Sequence, residues 1–358
     1  MAQPMVGGDG AHSYAKNSSG QGRVMERAKE LINEAIADKL DLKLLKIDTS
    51  STFRVADLGC STGPNTFIVV QNIIEAIELK LLQADHQNPS TIEFQVFFND
   101  HPENDFNTLF KALPHSPKYF AAGVPGFFQN RLFPKSTLHI INSSYALHWL
   151  SKIPKEIAGG NSLAWNRESI RNKRFVNEVA EAYSAQFKND IESFLNARAH
   201  ELVAGGLMFI LIVAVPDGIP LSQTTLGVFY DVFGSCLMDM AKMGITSEEK
   251  INSFNIPNHR PTPKELESII KTNKYFTIER MEQLADRMSQ STFLAKCRTS
   301  AVRAVYEGVV MEHFGGEFVE PFFNHFTVKV EENASRFEKF QNPIDLFVLL
   351  KRTGDELN

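Results

Sequence analysis

The sequence predicts an α/β protein with a doubly wound, mostly parallel sheet and a helical cap. Three observations carry this. The stretch Val55-Ala-Asp-Leu-Gly-Cys-Ser-Thr-Gly-Pro-Asn-Thr66 reads as a strand, a tight turn and the start of a helix. Apolar segments of strand length then alternate with helical patterns as far as residue 215. Beyond that point helical patterns dominate, broken by two short strand candidates.

Taken in order, residues 25–40 have helical periodicity. Phe53, Val55 and Ala56 lead into Asp57, so the first strand closes on an acid. Gly59 and Gly63 let backbone N–H groups approach a ligand with no Cβ in the way. Pro64 suits the first helical turn, where its missing N–H costs nothing. Such a turn lies at the carboxyl end of a parallel sheet, where these folds bind ligands. Its spacing is not G-x-G-x-x-G, because three residues separate Gly59 from Gly63. A D-x-G-x-x-x-G turn is more typical of S-adenosylmethionine binding; the bland alternative is an ordinary strand-to-helix turn.

A helix over 67–82 follows, then an alternating strand over 92–100 that ends in Asp100. Residues 119–124 and 137–142 read as the third and fourth strands, the latter running into Ser143-Ser-Tyr145. A long helix over 175–202 leads to Gly205-Gly206, which precede a strand over 207–215. Helices are expected at 226–243, 263–271 and 301–313, with strands at 276–279 and 345–350 returning to the sheet. The expected division is a core over 1–215, completed by strands near 276–283 and 344–351, and a mostly helical cap over 216–342.

Bulk properties narrow the class. The chain has 358 residues, 43% of them hydrophobic and 22% charged, enough for a real core. A net charge of −5 argues against nucleic acid as a partner, since phosphate binding needs a basic footprint. Residues 1–10 are small and polar with no apolar h-region, so no secretory signal is expected. The strongest apolar run, 207–215, is too short to span a bilayer. Cys60, Cys236 and Cys297 have no close spacing, which suggests reduced thiols and a cytoplasmic protein.

Several residues could carry chemistry. Asp100, at the end of a strand, can accept hydrogen bonds from both hydroxyls of a ribose, or it can simply cap a loop. Asp57 can meet a cationic ligand or stabilise its own turn. Cys60 lies near a helix amino terminus that would lower its pKa, but no His/Asn constellation completes a cysteine hydrolase, so a structural or ligand-lining role is favoured. His148 and Trp149 follow the fourth strand. Trp is a donor only and suits an anionic oxygen, whereas His can donate, accept or act as a base. Their bland reading is a satisfied histidine and a core aromatic. No H-E-x-x-H, C-x-x-C or G-x-S-x-G motif is present, which removes most zinc hydrolases and α/β-hydrolases.

Several motifs together resemble one family, the plant SABATH methyltransferases. They are Met5-Val-Gly-Gly-Asp-Gly10, Ser13-Tyr-Ala-Lys-Asn-Ser18 with Gln21, Ala56-Asp-Leu-Gly-Cys-Ser-Thr-Gly-Pro-Asn65 and Phe98-Asn-Asp100. Further along come Asn104-Asp-Phe-Asn107, Gly123-Val-Pro-Gly126, Ser143-Ser-Tyr145 through Trp149, and Ser253-Phe-Asn-Ile-Pro257. They run in register along almost the whole chain. The resemblance implies a Rossmann-like core, a helical cap, a homodimer, and methyl transfer from S-adenosylmethionine to a carboxylate of a small plant metabolite. The xanthine-alkaloid N-methyltransferases of the same family are the alternative. Ala146-Leu-His-Trp149 with Ile153-Pro-Lys-Glu-Ile157 looks more like the members acting on loganic, farnesoic and related acids. From another class, a nicotinamide-dependent oxidoreductase is disfavoured by the Gly59/Gly63 spacing.

By the same resemblance, Tyr14, Asp57, Gly59, Cys60, Asn65, Asp100, His101, Ser143 and Tyr145 are expected to contact the cofactor. Gln21 and Trp149 look like the pair that holds the substrate carboxylate, with His148 and Tyr145 beside them. Phe229 and Tyr230 fall where the cap lines the acceptor pocket. Asn166, Asn252, Phe254 and Asn255 match positions associated with a peripheral Mg2+, a weak set of amides and carbonyls. Three positions depart from the family's pattern: Phe127, where many relatives have Ser; His101, where Leu is frequent; and Asn252, where Asp is common.

Overall fold

The computed structural model describes residues 3–45, 52–83, 92–157, 173–284 and 295–354. Among these, seven strands form one sheet: β1 (Thr52–Leu58), β2 (Glu93–Asp100), β3 (Phe120–Pro125), β4 (Leu138–Ser144), β5 (Leu202–Ala214), β6 (Phe276–Gln283) and β7 (Ile344–Arg352). Their order is β3-β2-β1-β4-β5-β7-β6. Pairs from β3 through β5 are parallel, and β7 runs antiparallel to both β5 and β6. The doubly wound, mostly parallel reading therefore holds. Strand order reverses between β1 and β4, so the switch point lies between their carboxyl ends.

Both sheet faces are covered, which explains the apolar runs. Val55, Ile140 and Phe209 pack toward the Ser19–Lys39 and Asn65–Gln83 helices. Their chain neighbours Ala56, Ile141 and Met208 pack toward the Lys173–Glu201 and Pro263–Thr272 helices. That parity is what a strand buried on two faces requires. The Pro263–Thr272 helix starts where expected because Thr262 and Glu265 form a reciprocal capping box with Pro263 behind the cap.

A third apolar cluster belongs to the cap. The Thr225–Lys242, Glu248–Asn252, Ala295–Phe314 and Gly316–Glu332 helices bring together Phe229, Phe233, Phe254, Tyr306, Phe322 and Phe326. Trp149, from just after β4, joins this cluster. The amino-terminal segment ties cap to core: Val6 N–H donates to Ala304 O at 3.0 Å, and Gly8 N–H donates to Asp105 Oδ2 at 2.9 Å. No helix among the described residues is long and apolar enough to cross a membrane.

Four expectations need correction. The first long helix starts at Ser19, six residues before the periodicity becomes visible. Pro64 stands just outside its helix, where its carbonyl accepts from Phe67 and Ile68 N–H. β5 begins at Leu202, ahead of Gly205-Gly206, because Gly205 at φ +80° forms an irregularity within the strand. The Gly316–Glu332 helix was not expected; Gly315-Gly316 and an internal Pro321 obscure it.

Candidate cofactor and acceptor site

The floor of the site is the turn after β1. Gly59 has φ +88°, and a Cβ there would fall 2.3 Å from the Ala146 Cβ, so both its conformation and its closeness to the loop after β4 demand glycine. Gly59 and Cys60 N–H both donate to Asn99 O, at 2.8 and 3.0 Å. Ser61, at φ +52°, donates its N–H to Asp100 Oδ2 at 2.7 Å, and His101 N–H donates to Asp100 Oδ1 at 2.7 Å. Asp100 therefore fixes the turn and still has lone pairs free for a ligand. Burial raises its pKa, against the lowering effect of those two N–H bonds. Around the turn, the buried hydroxyls of Ser13, Ser61 and Thr62 have no partner among the described residues. Orphaned buried hydroxyls are costly, and a ligand rich in hydroxyl and amine groups would satisfy them. This donor and acceptor set fits S-adenosylmethionine.

Asp57 lies directly opposite Asn142 across the β1–β4 pair. One of its oxygens accepts from the Asn142 amide at 2.7 Å, the other from the Thr66 hydroxyl. Burial is the largest influence on this carboxyl and pushes it up to about 6, despite the two bonds. Tyr14 is buried, and its phenol is raised first by burial and then by the charges of Asp100 and Asp57, which places it beside both acids. The Asn65 amide donates to Ser18 O at 3.1 Å and Ser18 Oγ at 2.9 Å. A Cβ on Gly22 would meet Asn65 Oδ1 at 2.7 Å, so Gln21 sits in the helical turn that presses against Asn65. The Cys60 thiol is buried, and burial together with the Asp100 and Asp57 charges drives its pKa well up. That outweighs the lowering expected from the helix terminus and suits a lining role.

Ser143 Oγ donates to Leu58 O at 2.9 Å, coupling β4 to β1 at the switch point. Tyr145 has φ +57°; its hydroxyl donates to Asp345, which pairs with Arg27 at 2.7 Å. His148 is buried with Nδ1 unpartnered, and its pKa is driven well below the usual value, first by burial and then by the positive charge of Arg260. It is therefore a neutral imidazole at physiological pH. The Trp149 ring lies 5.7 Å from that of Tyr306, which stacks on Phe229 at 5.5 Å. Tyr230 donates to Asn258 Oδ1 at 2.8 Å, while Asn258 Nδ2 donates to Tyr306 at 3.2 Å. Trp149 is thus a core aromatic of the cap, mounted on the carboxyl edge of the sheet.

The structure gathers the expected cofactor residues around the carboxyl ends of β1, β2 and β4, and Trp149, Phe229 and Tyr230 around Tyr306 and Asn258. The expected metal residues do not form a site of that quality. Asn166 lies outside the described residues. Phe254 is sealed in the cap, its ring 5.1 Å from Phe314. Asn252 and Asn255 add only amides, and no cluster of three or more His, Cys, Asp or Glu that could hold a metal occurs among the described residues. Without a carboxylate this set does not fit a resident divalent cation. Sequence reasoning missed Thr66, Asn142, Asn258, Arg260, Tyr306 and Asp345. Asn258 and Arg260 directly follow the Ser253–Pro257 motif, a proximity that could have flagged them; Asp345 gave no signal.

Comparison with known proteins gives the family. Residues 2–353 match the family model described as SAM dependent carboxyl methyltransferase. The chain is 45% identical to loganic acid O-methyltransferase of Catharanthus roseus, over 99% of this chain and 95% of that one. It is 41% identical to paraxanthine methyltransferase 2 of Arabidopsis thaliana, over 97% of this chain and 98% of the relative. A solved structure of loganic acid methyltransferase with SAH superposes with a TM-score of 0.90 at 43% identity, covering 98% of this chain and 99% of that one. These matches set aside the nicotinamide-dependent alternative, and the chain belongs to the S-adenosylmethionine-dependent carboxyl methyltransferases, the plant SABATH family.

Proposed function

We propose that this enzyme methylates the carboxylate of a small plant specialised metabolite, giving a methyl ester, with the donor on the 1–215 core and the acceptor under the 216–342 cap. The observation that carries the reading is the place of Trp149, whose backbone follows β4 at the switch point while its ring belongs to the cap's aromatic cluster. An acceptor held there lies between the donor turn and the cap.

Bound S-adenosylmethionine supplies an activated methyl group on a sulfonium. Asp100 receives the ribose hydroxyls, and Tyr14, Asp57, Gly59, Cys60, Asn65, His101, Ser143 and Tyr145 enclose the rest. Gln21 and the Trp149 indole N–H orient one carboxylate oxygen so that the other faces the methyl. Neutral His148 and Tyr145 complete the wall, and Phe229 and Tyr230 select the acceptor's shape. A carboxylic acid with a pKa of about 4 is already ionised at neutral pH, so no general base is needed. Placement can recover roughly 7–11 kcal/mol of the barrier, and the cap excludes water. We assign no step to Mg2+. We further infer a cytoplasmic homodimer, which rests on the family resemblance and the free thiols of Cys60 and Cys236; sedimentation tests the dimer.

The test is methyl transfer from labelled S-adenosylmethionine to a panel of loganic, farnesoic, salicylic and indole-3-acetic acids and xanthines. Label in a base-labile ester supports the reading. Base-stable label on a purine nitrogen would move the enzyme to N-methylation, a second reading that the 41% identity to the paraxanthine enzyme keeps in view.

A further inference from the structure

Arg260 stands out as a cation with no evident structural duty. Its neighbours are pinned on both sides: His259 N–H donates to His148 O at 2.9 Å, and Val215 N–H donates to Pro261 O at 2.9 Å. Arg260 is thereby fixed at the carboxyl ends of β4 and β5, beside the acceptor side of the site. Two residues earlier, Asn258 pairs with Trp149 through the backbone and holds the Tyr230 and Tyr306 hydroxyls. Arg260 lies two residues further along this same pinned stretch. Its positive charge is felt at both His148 and Tyr230.

Its guanidinium Nε and Nη1 are buried and have no hydrogen-bond partner among the described residues. The contrast is Arg198, fully buried and fully used: Nε pairs with Glu201 at 2.7 Å, Nη1 donates to Phe128 O at 2.7 Å, and Nη2 donates to Asn130 O at 2.8 Å. Arg198 and its partner Glu201 together hold the 128–133 loop, Glu201 accepting from Leu132 and Phe133 N–H. Among the described residues Nε and Nη1 of Arg260 hold nothing, although leaving guanidinium donors buried and unmet is costly. A group whose cost is not repaid by the fold is expected where a ligand completes it.

We propose that Arg260 reads the charge of the acceptor, making the pocket selective for an anionic acceptor over a neutral molecule of the same shape. The inference rests on the reading that the acceptor sits between Trp149 and the cap. It adds a cation to that pocket, beyond the Gln21 and Trp149 donors, and explains why a neutral His148 suffices there.

The experiment compares acids with their own primary amides: loganic, farnesoic and salicylic acids against the three amides, titrated into the full-length protein saturated with SAH. The wild type should bind at least one acid about tenfold or more better than its amide, the scale of one charged hydrogen bond. Arg260→Met should remove most of that preference by weakening the acid and sparing the amide, while Arg260→Lys keeps part of it. Arg260→Met should also melt no lower than the wild type, since it relieves a buried unmet charge. No acid preference in the wild type, equal weakening of acid and amide, or a clearly lower Tm with lost SAH affinity would each overturn the proposal. The two readings fail separately. Methyl transfer to a purine nitrogen with the Arg260-dependent acid preference intact would sink only the carboxyl reading. Transfer to acids with no preference tied to Arg260 would sink only this one.

Discussion

His101 and Phe127 meet edge to face, their ring centroids 4.9 Å apart and their planes at 85°. These are two of the three positions at which the chain departs from the family's usual residues, and their contact makes them one structural unit. The backbone enforces the meeting: Gly126 N–H donates to Asp100 O at 2.9 Å, and the Asn99 amide donates to Val124 O and Gly126 O at 2.7 and 2.9 Å. The exits of β2 and β3 are thus stapled together beside the residue proposed to hold the ribose.

A double-mutant cycle on His101→Leu and Phe127→Ser should therefore be non-additive. Edge-to-face pairs contribute about 0.5–1.5 kcal/mol beyond burial, and contacting residues couple on that scale. His101 Nδ1 also accepts from Glu103 N–H at 3.1 Å, a loss that the cycle cancels because both arms that change His101 share it. Calorimetric SAH affinities of the four proteins would show the coupling. Strict additivity would mean that the two departures arose independently and that the ring pair does not shape the cofactor site.

Asp57 predicts a pH dependence. Its native pKa of about 6 lies above the ordinary 3.8, with burial the main cause. Between those values the native carboxyl retains a proton that the unfolded chain has lost. Stability from this group therefore falls as pH rises through that window and is level above it, a change of ~3 kcal/mol at most. Asp57→Asn has no such proton to lose. The wild-type minus variant difference in denaturant stability, measured without ligand from pH 4 to 7.5, should fall up to about pH 6 and then flatten. A sulfonium near the carboxyl favours its ionised form, so S-adenosylmethionine should bind more tightly as pH rises through the same window, and SAH, which lacks that charge, should gain less. Parallel stability curves for the two proteins would remove the assignment.

What the sequence revealed and what it hid divide along physical lines. The Gly59 turn and the acids Asp57 and Asp100 were legible because their demands are local: a positive φ, a close approach to Ala146, a carboxylate at a strand end. The partners of those residues were not. Tyr145 meets Asp345 two hundred positions away only because β7 inserts antiparallel between β5 and β6. A strand over 345–350 is legible, but nothing local announces its place between β5 and β6. Gly205 looked like a strand boundary because glycine weakens strands, yet at φ +80° it bends β5 without ending it. Phe318, Phe322, Phe323 and Phe326 do carry helical spacing, but the flanking glycines and Pro321 mask it; packing against Phe229 and Phe233 supplies what propensity withholds.

Trp149 offers the sharpest test of the acceptor site, provided the substitution separates packing from donation. Alanine would open a large cavity among Tyr306, Phe229 and Phe233, and truncating a buried Trp costs about 3–5 kcal/mol. Phenylalanine keeps a ring against Tyr306, 5.7 Å away in the wild type, and removes only the indole N–H and some bulk. If that N–H holds a carboxylate oxygen, its loss costs about 1.5–3 kcal/mol of acceptor binding or orientation, or roughly 10- to 150-fold in kcat/KM for an acid substrate. SAH affinity, which depends on the β1 and β2 exits, should not move. A proportional fall in both quantities would show that Trp149 supports the fold of the junction and does not touch the acceptor. A fall confined to the acid, with SAH binding intact, would place the reacting carboxylate beside the indole.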